Sequence, residues 1–369
     1  MQKQLISFYD GLRLGIVNAF RQLLFKKYTD NFVPSKILIV RKGTIGDHVV
    51  CQPFYLAFKK LFKNAQIDLL TSIGGNAYGH IKNLPEQTLF THTYNFEDYS
   101  LRALRKILAV QQYTLVIEFP QDLDTLYTQI RNMVFYKSCG IRYGLGWSIG
   151  NSYLFKNYRY FNLPQARQFE KHSATLLKQG FSHEIAEKYL DTDTVEANTF
   201  DLPAQYIVIA PGAKFSAKTW DVKNYQAVAK TLVERGCAVV ILGSAREGEA
   251  WNDLAGVINL AGKTSIAVMK GIIKNALLFI GNDSGPMHLA YSLNTPVVAL
   301  FGSRNYPKTW WPPERANVVV IHHASPKNPV AFINLEHTQK SIDTCKNLRA
   351  ISVEEVLNHS VKLLNTKAQ

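Results

Sequence analysis

The sequence predicts an α/β protein built from two doubly wound domains, each with a parallel sheet. Short apolar, β-branched runs alternate with segments of helical periodicity, first from residue 36 and again from residue 206. The chain has 369 residues, and a single hydrophobic core rarely grows beyond about 250–300 residues. Two domains are therefore expected.

The first series of elements lies at residues 33–185. Its opening run, Lys36–Arg41, has the composition of a buried parallel strand, and a glycine-bearing turn follows it. Helices are expected at His48–Phe62 and near 98–110 and 122–136, and strands at Gln66–Thr71, Thr88–Thr93 and Thr114–Phe119.

The second series lies at residues 200–350, after a polar stretch that we interpret as the connection. It opens with the strand Tyr206–Ala210 and the helix Val222–Arg235. A final helix is expected at 351–369. Two such domains place a ligand site in the cleft between them, at the carboxyl ends of the strands.

Residues 1–32 stand apart as a basic amphipathic helix. Its apolar stripe recurs at steps of three and four, and comprises Leu5, Phe8, Leu12, Ile16, Ala19 and Leu23. Two interpretations fit this pattern: a helix docked on the first domain, or an interfacial anchor on anionic lipid.

Net charge and cysteine content limit the classes of partner and the cellular compartment that we expect. Lysine and arginine number 42 against 28 acidic residues, a net charge of +14, which favours a nucleic acid, an anionic membrane or a phosphorylated substrate. No nucleic-acid recognition motif accompanies the charge, so that partner is not expected. The four cysteines are widely spaced, which argues against a zinc site or a disulfide framework and favours the cytosol.

The first candidate site is the turn Lys42-Gly43-Thr44-Ile45-Gly46-Asp47. Asp47 is expected at the carboxyl end of the first strand, where its carboxylate can take a proton from a substrate hydroxyl or simply cap the helix. The motifs GxxxxGK[ST] and GxGxxG are absent, so neither a P-loop nor a nicotinamide-binding site is supported.

The second candidate site is the loop Ala210–Trp220. Small residues followed by Lys214 and Lys218 suit a diphosphate, although two solvated lysines would look the same. Trp220 either packs in the core or stacks on a ligand.

The third and strongest candidate site is Gly281-Asn-Asp-Ser-Gly-Pro-Met-His288. An apolar strand leads into a helix start, whose free N–H groups form a ready anion site. An ordinary capped helix is the alternative. Arg304, after a later strand, either reaches a phosphate or is solvated.

A metal site is not expected. Asp122 and Asp124 follow a strand and form the more serious of two Asp-x-Asp pairs, but acids in this position suit the first turn of a helix. We expect lysine, histidine and a helix end to neutralise a diphosphate without an obligatory metal.

Three blocks in the same order resemble glycosyltransferase family 9, the ADP-heptose–lipopolysaccharide heptosyltransferases. They are KILIVRKGTIGDHVVCQP, APGAKFSAKTW with the downstream VVILGSAREGE, and GNDSGPMHLA. The resemblance runs from about residue 36 to the end of the chain, and all three blocks in register are specific to the family.

The resemblance implies a GT-B fold, with the acceptor on the first domain and the nucleotide sugar, an ADP-sugar, on the second. It matches Asp47 to the catalytic base of an inverting transfer. It matches the donor site to Lys218, Asp283, Ser284, Gly285 and His288; we also expect donor contacts from Lys214, Trp220 and Gly243, and acceptor-side contacts from Arg41, Lys42, Thr44 and Gly46.

The expected partners follow from the same resemblance. They are a nucleotide-sugar donor, a phosphorylated glycolipid acceptor and the anionic cytoplasmic face of the bacterial inner membrane. Two alternatives remain: a GT-B transferase that uses another nucleotide sugar for surface polysaccharide, and a non-catalytic nucleotide-binding protein at the membrane surface.

Overall fold

The computed structural model describes two compact units. The first comprises the described residues up to 147 and the second those from 200 onward. The described residues are 12, 15–27, 32–43, 45–49, 55, 58–59, 62–72, 89–118, 125–147, 200–213, 218–302, 311–312, 315–323 and 348–367.

The first unit is a five-stranded parallel sheet in the order β3-β2-β1-β4-β5. Its strands are β1 Lys36–Lys42, β2 Gln66–Ser72, β3 Thr93–Asn95, β4 Leu115–Glu118 and β5 Tyr143–Leu145. Its helices are α1 (residues 15–24), α2 Ile45–Val49, α3 Leu101–Val110 and α4 Leu126–Ser138. The apolar, β-branched composition of β1 suits a central position, where both faces are buried.

The third strand begins later in the structure than the sequence predicts. Thr88–Thr93 reads as a strand because it contains Leu89 and Phe90, but the ladder with β2 begins only at Thr93. Phe90 is buried ahead of the strand and packs edge-on against Tyr55. Packing of Phe90 accounts for the apolar run, and backbone hydrogen bonds to β2 begin just ahead of the strand, since the Thr91 N–H donates to the Ile67 carbonyl over 2.8 Å. Thr88 lies outside the described residues.

The described part of the amino-terminal segment buries residues outside the apolar stripe. Val17 and Phe25 lie in the core of the first unit, and Phe25 stacks on Trp147. Within the stripe, Leu12 is 52% exposed and Leu23 is 79% exposed, and Leu5 and Phe8 lie outside the described residues. Whether the stripe docks or meets lipid therefore stays a prediction.

The second unit is a six-stranded parallel sheet in the order β11-β10-β9-β6-β7-β8. Its strands are β6 Tyr206–Ala210, β7 Ala238–Ile241, β8 Val257–Asn259, β9 Leu278–Asn282, β10 Val297–Leu300 and β11 Val318–Ile321. Its helices are α5 Val222–Glu234, α6 Ala245–Gly248, α7 Ile266–Asn275, α8 Gly285–Ser292 and α9 Val353–Lys367.

The carboxyl-terminal helix α9 belongs to the core of the second unit. Val356 and Leu363 are buried among residues of β9, β10 and α5. The Ser352 hydroxyl accepts from the Glu355 N–H, as a helix cap does. The Glu355 carboxylate lies 2.8 Å from His323 Nε2, which ties the start of α9 to the segment after β11.

No helix among the described residues combines the length and the apolar character that a membrane crossing requires.

Candidate active site

Each sheet has one point at which the strand order reverses, and the candidate residues lie there. In the first unit β2 and β4 flank β1, and in the second β9 and β7 flank β6. Loops that leave the carboxyl ends of such strands diverge and open a crevice for ligands. Asp47 follows β1, Lys218 follows β6 and Asp283 follows β9.

In the first unit an arginine holds the Asp47 carboxylate. Arg41 Nη2 donates to Asp47 Oδ1 over 3.0 Å. The arginine side chain is 7% exposed and the aspartate side chain 24% exposed, so the pair faces solvent through the carboxylate. Asp47 is the third residue of α2, within its first turn, and does not occupy the N-cap position.

Gly43 makes room for this carboxylate. Its φ is +140°, a conformation that L side chains rarely adopt, and a Cβ there would lie 2.6 Å from Asp47 Cγ and Oδ2. The glycine of the turn is therefore required by both the backbone conformation and the position of Asp47.

His48 fixes α2 from the buried side. Its Nε2 lies 3.1 Å from Thr71 Oγ1, and its Nδ1 lies 3.3 Å from the Tyr55 hydroxyl. Burial, with a further contribution from the charge of Arg41, lowers the pKa of His48 to about 3, so the ring is neutral at physiological pH. No sequence motif marks His48, because a lone histidine beside an aspartate has no characteristic spacing.

The structure describes two of the three other residues that we expected on the acceptor side. Gly46 is buried within α2, and Lys42 Nζ lies 4.4 Å from the ring centroid of Phe96. Thr44 lies outside the described residues.

In the second unit a buried carboxylate brings the donor-side residues together. Lys218 Nζ lies 2.6 Å from Asp283 Oδ2, and His288 Nε2 lies 3.8 Å from Asp283 Oδ1. Burial by itself raises the pKa of Asp283, but the charge of Lys218 and the neighbouring His288 outweigh it and lower the pKa to about 2. Asp283 is thus an anion that keeps the lysine at the first turn of α8.

The first turn of α8 presents hydrogen-bond donors. Ser284 occupies the N-cap position, and its buried hydroxyl makes no hydrogen bond. Pro286 stands in the first turn, where its missing N–H costs nothing. The first N–H groups of a helix lack intrahelical partners, so this end can bind an anion beside Lys218 and His288.

Asn282, which the sequence analysis missed, fixes the lysine loop. Its Oδ1 accepts from the Trp220 N–H over 3.1 Å and from the Tyr225 hydroxyl over 2.9 Å. Its Nδ2 donates to the Pro211 carbonyl over 2.5 Å. The end of β9 therefore holds both ends of the loop that carries Lys218.

Trp220 belongs to the core, which corrects the expectation of a donor contact. The ring is fully buried, packs edge-on against Tyr225, and donates from Nε1 to the Ile351 carbonyl. A ring with no exposed surface cannot stack on a ligand in this structure.

Glu247 adds a carboxylate at the same edge of the second sheet. It forms a capping box with Ser244, and its side chain lies over Gly212 and Gly243, where an added Cβ would overlap it. Burial raises the pKa of Glu247, partly offset by the Ser244 N–H. The spacing Ser-x-x-Glu was the available signal, and it indicated only a cap.

Other predicted residues lie outside the described part of the chain, namely Lys214, Arg304, Asp122 and Asp124. Among the described residues, no group of three or more His, Cys, Asp or Glu side chains is arranged to hold a metal ion.

Comparisons with known proteins agree on one family. The model of glycosyltransferase family 9 (heptosyltransferase) matches residues 101–331. Lipopolysaccharide heptosyltransferase 2 of Escherichia coli (strain K12) is 38% identical over 117 residues, 28% of this chain and 34% of that protein. Lipooligosaccharide heptosyltransferase 2 of Haemophilus influenzae is 26% identical over 297 residues, 72% of this chain and 83% of that protein. The match thus spans about a third of the Escherichia coli relative's length.

A solved structure shares the architecture. Escherichia coli ADP-heptose LPS heptosyltransferase II superposes with a TM-score of 0.63 at 22% identity, over 90% of this chain and 100% of that chain. This likeness confirms the predicted fold of the GT-B type, with two parallel α/β sheets.

Replacing Gly43 by alanine tests the packing around Asp47. We expect Gly43→Ala to lower the midpoint of thermal unfolding more than Gly140→Ala does. Both glycines have positive φ, but a Cβ at Gly140 meets nothing within 4 Å. Equal shifts for the two variants would show that the Asp47 side chain does not fill the space over Gly43.

Replacing Lys218 by methionine tests the buried pair. The pKa of Asp283 is lowered in the folded state, so the pair stabilises the protein above about pH 4 and loses this effect as the pH falls toward 2. We expect Lys218→Met to reduce the free energy of unfolding at pH 7 by roughly 2 kcal/mol.

Denaturant unfolding from pH 7 down to pH 2 measures this effect, and the difference from the wild type should shrink with falling pH. Lys223→Met, at an exposed lysine of α5, is the matched control and should show no pH-dependent difference. A Lys218→Met variant as stable as the wild type at pH 7 would contradict the role of the pair.

Proposed function

Because the chain belongs to glycosyltransferase family 9, we propose that it transfers a heptose from ADP-heptose to a lipopolysaccharide core acceptor. The names of its relatives support this substrate class, since they act in lipopolysaccharide or lipooligosaccharide synthesis. The observation that carries the proposal is the group of Lys218, Asp283 and His288 at the first turn of α8.

This group suits the diphosphate of the donor. The Lys218 ammonium and the His288 ring face the same carboxylate, and the Ser284 hydroxyl and the helix N–H groups adjoin them. A diphosphate that gains negative charge as it leaves is stabilised by such preorganised donors, without an obligatory metal. Gly285 lets a phosphate oxygen approach the backbone.

Glu247 suits the nucleoside part of the same donor. In dinucleotide-binding domains with a GxGxxG motif, an acidic residue about 20 positions on accepts hydrogen bonds from ribose hydroxyls, and we propose the same task for Glu247 by analogy, although this chain lacks that motif. β7 is the second strand of this unit along the chain, and Glu247 follows it above Gly243.

Asp47 acts as the general base in this proposal. Its carboxylate takes the proton of the acceptor hydroxyl, and the acceptor oxygen attacks the anomeric carbon of the heptose. The bond from that carbon to the phosphate oxygen breaks, and ADP leaves with the electron pair, which inverts the configuration. Arg41 orients the carboxylate through the 3.0 Å contact.

The acceptor in this proposal is a phosphorylated glycolipid, which places the protein at the anionic cytoplasmic face of the inner membrane as a peripheral protein. The net charge of +14 supports attraction to such a surface.

Replacing Asp47 by asparagine tests the assignment of the base. Asparagine keeps the size of the side chain and an oxygen for Arg41, but it cannot take up the proton. We expect kcat for release of ADP from ADP-heptose, with a lipopolysaccharide core acceptor, to fall by about 10²–10⁴-fold. Calorimetric affinity for ADP should stay at the wild-type value.

Asp201→Asn, at an exposed aspartate before β6, is the control and should be fully active. An Asp47→Asn variant that turned over at the wild-type rate would remove Asp47 as the base. A wild-type protein that used another nucleotide sugar instead would overturn the choice of donor and retain the family.

A further inference from the structure

Large exposed hydrophobic side chains are confined to the first unit among the described residues. They are Leu12, Leu23, Val33, Tyr99, Leu101, Val110, Tyr127 and Val134. Single exposed hydrophobic residues are ordinary, but a set restricted to one unit marks an interaction surface.

Five of the eight lie on three helices that cover one face of the sheet, and Leu12 precedes the first of them. α1, α3 and α4 all bury apolar side chains in the same core cluster, above Leu38 and Val40 of β1. We call the outward sides of these helices, together with Leu12, the outer helical surface. It carries Leu12, Leu23, Leu101, Val110, Tyr127 and Val134.

The charged residues of the three helical segments are all cationic, although two exposed acids, Glu97 and Asp98, lie just before α3. Residues 15–27, α3 and α4 contain eight lysines and arginines and no aspartate or glutamate. Seven of the eight are exposed, namely Lys26, Lys27, Arg102, Arg105, Lys106, Arg131 and Lys137. Two helices of the second unit, α5 and α9, carry acidic residues among their lysines, whereas α7 carries lysines alone.

We infer that the outer helical surface binds the anionic phospholipid bilayer, so that membrane contact extends from the amino-terminal helix across α3 and α4. Lysine and arginine pair with lipid phosphates, while leucine, valine and tyrosine enter the interface. Two other partners fit the surface less well. A second copy of the chain would bring like charges together, and a nucleic acid would leave the exposed leucine and valine side chains without apolar contacts.

The candidate base, Asp47, lies beside one end of the outer helical surface. Leu101 and Tyr127 lie in the first turns of α3 and α4, which follow β3 and β4 and so begin at the carboxyl edge of the sheet, where Asp47 lies. A bilayer against the outer helical surface therefore has Asp47 at one rim of the contact. The inference rests on the proposed function only in taking the acceptor to be lipid-borne.

The test measures binding of the full chain to phosphatidylcholine vesicles with and without an equal share of phosphatidylglycerol. One variant carries Arg102→Gln, Arg105→Gln and Lys106→Gln on α3. Its matched control carries Lys223→Gln, Lys230→Gln and Arg235→Gln, at three exposed cations on or beside α5. A further variant carries Leu101→Ser and Val110→Ser.

We expect the wild type to bind the anionic vesicles, and the α3 charge variant to bind them roughly a hundredfold more weakly. The serine variant should lose roughly tenfold, and the α5 control should bind like the wild type. Circular dichroism and thermal unfolding identify any variant that fails to fold.

Activity on a deacylated, soluble acceptor should be unchanged in the α3 variant, while activity on a vesicle-borne acceptor should fall.

Equal losses of vesicle binding in the α3 variant and the α5 control would overturn the inference, as would wild-type vesicle binding by the α3 variant. Dimerisation of the wild type that only the α3 variant loses would assign the surface to a second copy instead. Vesicle binding without transferase activity would contradict the proposed function and leave the membrane surface standing.

Discussion

A buried carboxylate that needs a counter-charge organises the donor side of this protein. Asp283 directly follows the central strand β9 and has almost no exposed surface, and an unpaired charge in such a position is strongly destabilising. Lys218 supplies the counter-charge and His288 lies beside the same carboxylate. These contacts hold the loop after β6 and the first turn of α8 together. Asn282 reinforces the same junction through three hydrogen bonds.

The two units have the same type of crevice but present different chemical groups in it. In each, the reversal of strand order opens the carboxyl edge of a parallel sheet, and polar residues gather there. The second unit presents cations and helix N–H groups, which suit an anionic leaving group. The first presents a carboxylate beside an arginine, which suits removal of a proton. In the proposed reaction, the first unit would take up the proton of the acceptor and the second would bind the departing nucleoside diphosphate.

Local sequence predicted the residues whose role depends on their own segment. The strand that runs into Gly281–His288 encodes both the helix start and the polar residues, so this site was visible without tertiary contacts. Trp220 was ambiguous because its contact with the Ile351 carbonyl, 131 residues further along the chain, cannot be read from the local sequence, although its other neighbour, Tyr225, is close in sequence. Asn282 and His48 were missed for the same reason, since their partners come from other strands and loops.

The amino-terminal helix shows a further limit of periodicity. Two apolar faces wind around α1, and spacing alone favoured the one with Leu12 and Leu23, whereas the sheet buries the one with Val17. Spacing predicts that a helix is amphipathic, but contacts with the core, such as that of Phe25 with Trp147, decide which residues are buried. The outward stripe then becomes part of the outer helical surface.

The most direct test of the central claim is a thermal-shift comparison of ADP, UDP, GDP and CMP, with ADP-heptose alongside, at equal concentrations. A donor site built on Lys218, His288 and α8 for an ADP-sugar predicts selective stabilisation by ADP and ADP-heptose. Equal or greater stabilisation by another nucleotide would contradict the choice of donor, and the absence of any response would contradict a nucleotide-sugar site.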